Sequence, residues 1–170
     1  MAAPTFKPGW PLPDDYLVEI GRVSALWGTL ENFVELCIAK LAGFDNLNDM
    51  TWFVLIKHSS FQQKLDIFAT LCHQLSPHAA NLQPYESCVA KIKEAQKLRN
   101  RLLHNHIVAD DHGVFHIVEG SARGKLKTSS QPITVDAIRE ACAKIHVATI
   151  ELYKLVLKVD VKPIWERTNG

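Results

Sequence analysis

The chain has 170 residues, of which 47% are hydrophobic and 22% charged, the make-up of one ordinary folded domain with a real core. A net charge of +1 excludes an argument for nucleic acid from bulk charge, so any such contact must come from a local patch. No signal peptide or apolar run of membrane-spanning length is present, and the four cysteines form no C-x-x-C pair. A cytoplasmic protein with buried thiols and no membrane contact is therefore expected.

Residues 1–13 carry four prolines and read as an extended arm, with Trp10 holding it to the body. A long helix is predicted from Asp14 or Asp15 to about 42, stopped by Gly43. Its apolar stripe is Ile20, Val23, Trp27, Leu30, Val34, Ile38 and Leu41, with Glu31 on the edge. Residues 46–58 hold Trp52-Phe53-Val54-Leu55-Ile56, which suits a short buried helix in helical surroundings. Ser60-Phe61-Gln62-Gln63 fits a capping box opening a helix to about 75, with Leu65, Phe68, Ala69 and Cys72 facing inward. Pro84 suits the first position of another long helix, predicted to run to about 109.

Asp110-Asp111-His112-Gly113 reads as a turn. Residues 114–118 and 124–128 then flank a second turn at 120–123, the pattern of a small β-hairpin spanning about 113–129. Two strands alone are marginal, so the hairpin should lie against the helices. The last helix should open with Thr134 as N-cap and bury Val135, Ile138, Cys142, Ile145, Thr149, Leu152 and Val156 before ending near 158. The expected fold is thus all-α: an up-and-down helical bundle over 14–159, with a β-hairpin inserted before the last helix and a tail at 160–170.

The anomaly lies late in the helix after Pro84. Cys88, Ile92, Ala95, Leu102 and Leu103 make its apolar stripe, yet Arg99 stands in the middle of it. A guanidinium there must be paired, reach water, or face a wet or shared cavity. Glu31 invites pairing with Arg99, unless it merely borders the core and reaches water. Asn100 and His104 are four apart and share a face. The eight histidines raise the question of metal, but His104 and His106 lie about 200° apart on a helix. Cys142 and His146 lack a third ligand at a plausible spacing, so neither metal nor cofactor is expected.

Arg with His is the equipment of metal-free RNA cleavage. An imidazole can take the 2′-OH proton or protonate the leaving 5′-oxygen. The guanidinium can stabilise charge on the phosphorane. RNA supplies its own nucleophile, and a symmetric dimer would supply a second imidazole.

Arg99-Asn100-x-x-x-His104 resembles the R-x(4–6)-H signature of HEPN (higher eukaryote and prokaryote nucleotide-binding) domains, with the polar residue that often follows the Arg. The helical context over about 14–158 is similar too. The resemblance implies a homodimeric bundle whose two motifs meet in a cleft, often a metal-independent endoribonuclease in toxin–antitoxin, defence or RNA-processing systems. It implies that Arg99 binds the phosphate, Asn100 orients it or the imidazole, and His104 is the acid/base. RNA, a second copy of the chain and an antitoxin protein become the candidate partners. The alternative is a catalytically silent HEPN module that binds nucleotide, RNA or protein.

His106 stands where toxin members regulated by a nucleotidyltransferase antitoxin carry Tyr, so that regulation is not implied. If the helix runs on, His106 points back to the Arg99 stripe, as a second catalytic imidazole or, more commonly, a core histidine. Arg101, Lys97, Lys93 and Lys91 offer either a basic patch beside the motif or an ordinary solvated face.

Overall fold

The prolines of the arm end where the first helix begins. In the computed structural model, which describes residues 5, 7–44, 46, 50–121 and 124–167, Asp14 and Asp15 open helix α1 (Asp14–Leu41) directly after Pro13. Both acids favour the positive end of the helix dipole. Gly43, at φ +89°, closes it, donating to the Lys40 carbonyl while the Phe44 N–H reaches back to Ala39, the paired bonds of a Schellman stop. Of the segments read from sequence, arm residues 1–4 and 6, residues 47–49, turn residues Ala122 and Arg123, and tail residues 168–170 lie outside the described residues. Trp10 is largely exposed rather than sunk into the body.

The short helix α2 (Thr51–Ile56) buries Trp52 and Ile56. Helix α3 (Phe61–Leu75) opens with the expected capping box, Ser60 and Gln63 each accepting the other's backbone N–H. Helix α4 (Tyr85–His104) follows Pro84, and helix α5 (Val135–Leu152) closes the bundle before a wider helical turn at Tyr153–Leu157. The Thr134 side chain accepts the Ala137 N–H at 3.2 Å. Thr134→Ala should therefore cost about 1 kcal/mol in urea unfolding; an unchanged midpoint would show the cap to be idle.

Contacts between elements set their directions. Trp27 packs on Phe61, Glu35 bonds Lys64, and Phe33 stacks on Tyr153 while Glu19 bonds Arg139. Sequence numbers rise together in each comparison, so α3 and α5 both run parallel to α1. Helix α4 runs against them, with Arg99 over Trp27 at one end. The chain forms a mostly helical bundle in which the helix directions do not strictly alternate. Val23, Leu30, Val34, Leu65, Phe68, Ile92, Ile138 and Ile145 fill its centre.

The insertion before α5 is larger than a hairpin. Helix α4 does not reach 109: Asn105 turns extended at φ −115°, ψ 158°, and its side chain donates to the Arg101 carbonyl at 2.9 Å, satisfying one orphan acceptor of the last turn. Strand β1 (His106–Ala109) then pairs antiparallel with β2 (Phe115–Ser121), which pairs with β3 (Lys127–Pro132). Ile107 and Val108 are β-branched and favour the pleat. Asp110 fixes the turn between them, its Oδ1 accepting the His112 and Val114 N–H groups at 2.9 Å. The sheet leans on α1: Ile117 is fully buried, the Tyr16 ring packs at a tilt against Phe115, and the Tyr16 hydroxyl donates to the Ile133 carbonyl.

Glu19, buried on α1, ties α1 to α5 through Arg139 at 3.0 Å and also pairs with Arg22. Burial alone would raise its carboxyl, but the hydrogen bonds from Arg139 and Arg22 outweigh it and hold the group below the ordinary 4.5. At pH values between the two, the unfolded chain binds the proton that the folded chain refuses, so stability rises with pH there. The stabilisation is complete above 4.5 and is lost as pH falls through the depressed folded value. Glu19→Gln should flatten the acid limb of urea midpoint against pH; an unchanged limb would contradict the linkage.

All four cysteines are free and buried. Burial pushes the Cys72 and Cys88 thiols up to about 12, so they are packing groups rather than nucleophiles. Among the described residues, no helix is long and apolar enough to cross a membrane.

Candidate functional site

Arg99 is half-buried on the inner stripe of α4, and the face of an indole is what makes the position tolerable. Its guanidinium carbon lies 5.4 Å from the ring centroid of Trp27, within cation–π range. The Trp27 ring is itself buried and backed by Phe61 at 4.5 Å. The side chain then runs toward the exposed end of the helix. There Nη1 donates to Asn100 Oδ1 at 3.0 Å and lies 2.7 Å from His104 Nε2.

A guanidinium has only donors, so His104 Nε2 is the acceptor in this pair, and a neutral ring carries its proton on Nδ1. Arg99 and His104 are about 140° apart around the helix and about 7.5 Å apart along it. The long Arg stem closes that gap, while a shorter cation at 99 would remain inside the stripe. His104 is exposed, and Asn100 half-exposed.

The charge state of the site follows from these partners. Both groups bonded to Arg99 are neutral, and among the described residues no carboxylate pairs with it. Its Nε is buried without a hydrogen-bond partner. A fixed, half-buried cation with neutral neighbours and an exposed tip attracts an anion, and its planar fork suits phosphate oxygens.

The structure brings together Arg99, Asn100 and His104 and sends the remaining candidates elsewhere. Glu31 does not pair with Arg99. It bonds Lys64 at 2.9 Å, and Lys64 also holds Glu35 at 2.6 Å. The cation in the α3 stripe is closer to this acid than the one in α4. His106 is not a core histidine, because it opens β1, exposed and opposite Val118. Once Asn105 leaves the helix, the 3.6-residue period that aimed His106 inward no longer applies. Arg101 is turned to the sheet, paired with Glu119 at 2.8 Å and bonded to Gln131. Lys91 is taken by Glu151 on α5.

Trp27 was visible in sequence only as a core residue. The signal for more was an unpaired Arg and a large aromatic at stripe positions of two adjacent helices. Among the described residues, no three His, Cys, Asp or Glu side chains gather as a metal ion would require. No model of a known protein family, no curated protein and no solved structure matches the chain.

Proposed function

We propose that the protein is a metal-independent endoribonuclease of HEPN type, acting as a homodimer. The observation that carries the reading is the Arg99–His104 contact at 2.7 Å, made by an exposed imidazole and a cation with no acidic partner among the described residues. In this mechanism a phosphodiester displaces the imidazole from the guanidinium, and Arg99 holds the two non-bridging oxygens. His104 Nε2, freed by the exchange, accepts the 2′-OH proton as that oxygen attacks phosphorus. The 5′-oxygen leaves and takes a proton from the second copy's His104, which enters the reaction as the imidazolium, released from its own Arg99, and ends neutral while the first copy's ring ends protonated. The products are a 2′,3′-cyclic phosphate and a 5′-hydroxyl. Asn100 keeps the guanidinium aimed along α4.

The tip of the Arg99 fork sets the chemistry, so charge alone should not replace it. Arg99→Lys places a point charge on a shorter reach and lacks the planar two-donor face. Its expected cleavage rate in EDTA is about 10²-fold lower than wild type, the scale of losing one preorganised donor to the developing charge. Cleavage at the wild-type rate by Arg99→Lys would sink the assigned role. Sedimentation of the wild-type chain tests the dimer in the same preparation, and a monomer that cleaves would remove the second imidazole from the mechanism. A folded protein that binds RNA without cutting it would be the silent module instead.

A further inference from the structure

Helix α4 carries a row of groups on its exposed side that the motif does not use. At about 100° per residue, Lys93, Lys97, Asn100 and His104 fall within a sector of roughly 60°. Lys93, Lys97 and His104 are exposed, and Asn100 is half-exposed. Of the other basic residues on this helix, Lys91 is paired with Glu151 and Arg101 with Glu119. Lys93 and Lys97 have no ion pair among the described residues. Glu94, about 60° beyond the edge of the sector, is neutralised by Lys144 at 2.8 Å. The other acid of α4 is Glu86, which lies within the sector, about 10 Å along the axis from Lys93 and beyond the end of the row. The chain is nearly neutral as a whole, yet among the described residues this face presents two unpaired lysines in line with a guanidinium that also has no counter-charge.

We infer that this face of α4 is a phosphate track for one strand of RNA, running from the Arg99–His104 site back past Lys97 to Lys93. The inference rests on reading that site as an RNA site. Lys93 and Lys97 are about 6 Å apart along the axis, and Lys97 and His104 about 10 Å. Such steps suit successive phosphates of an extended strand that bends over the helix. A single strand is favoured over a duplex on two grounds. A duplex would present a second row of phosphates, for which this face has no matching cations. In-line attack by a 2′-OH also needs a linkage free to unstack, which base pairing resists. The lysines contact phosphates only, so they confer affinity without base preference.

The test uses the full-length His104→Ala chain, so that RNA stays intact. The probe is a fluorescein-labelled, mixed-sequence single-stranded RNA of about a dozen nucleotides, with anisotropy read over a range of salt. Adding Lys93→Gln and Lys97→Gln should weaken binding about 10-fold or more and reduce the log–log salt slope by about 1.4, two phosphates at about 0.7 each. Both positions are exposed, so melting temperature should hold. An unchanged affinity and slope overturns the track even if the wild-type chain cuts RNA. Lysine-dependent binding by a chain that never cuts sustains the track while the nuclease reading fails. Equal or tighter lysine-dependent binding of the matched duplex overturns the single-strand assignment, as does retention of an acidic protein but no RNA on this face.

Discussion

His104→Ala is expected to lower RNA cleavage by about 10²–10⁴-fold, the usual weight of one positioned acid/base, while leaving the fold intact. The side chain is exposed at the last residue of α4, so truncation opens no cavity. Substitutions at such surface positions usually stay within about 0.5 kcal/mol. One hydrogen bond to Arg99 is lost, but Asn100 and the Trp27 ring still hold the guanidinium. Activity and stability should therefore separate cleanly at His104. They should not separate at Arg99, whose removal also uncovers the buried indole. Melting curves beside single-turnover rates distinguish the two; a large melting shift in His104→Ala would mean that its contact is architectural.

Lys64→Met is expected to produce the largest loss of stability. Lys64 is 3% exposed and Glu35 1% exposed, with Nζ bonded to both Glu35 and Glu31. Methionine fills the space of the stem but leaves the Glu35 carboxylate in the core. The nearest remaining cation is the half-exposed Lys57 at 3.6 Å. Breaking a buried pair from one side typically costs about 3–5 kcal/mol. In a domain of this size that corresponds to a melting shift on the order of 10 °C. Removing both charges with Lys64→Met and Glu35→Leu should restore most of the loss, because the stranded charge is then gone. A Lys64→Met melting temperature within a degree or two of wild type would contradict the account. So would a double variant no better than the single.

The helical part of the fold was legible because its signals agree at several levels. The stripes of α1 and α5, the Gly43 stop, the Ser60–Gln63 box and the Thr134 cap all stand where their chemistry puts them. The sheet was legible only in part. The turn at Asp110–Gly113 was recognisable, but Ile107 and Val108 continue an apolar run that also suits a helix. Pairing with β2 decides the matter, and pairing is a long-range fact. With the helix ending at His104, His106 passes from the inner stripe to an exposed strand end.

Arg99, Asn100 and His104 were legible as a set because a charge in an apolar stripe demands an explanation. The explanation was harder to see. Glu31 was the obvious acid for Arg99, but α3 carries its own cation in its own stripe. Lys64 lies at the third position between Phe61 and Leu65, and Glu31 with Glu35 forms the matching i, i+4 edge on α1. Two cations thus competed for one acidic edge, and helix order rather than residue type decided between them. Arg99 received an aromatic face in place of a carboxylate. That leaves its charge open to an anion, the feature on which the functional reading depends.

The measurement that tests that reading most directly is the chemistry of the cut ends. Wild-type protein and His104→Ala would be incubated with mixed-sequence RNA in EDTA, and both termini of each product mapped. The account predicts 2′,3′-cyclic phosphates and 5′-hydroxyls from wild type and at least about 100-fold fewer from the variant. Products ending in 3′-hydroxyl and 5′-phosphate, equal cutting by His104→Ala, or intact RNA after incubation with a folded wild-type dimer would each contradict it.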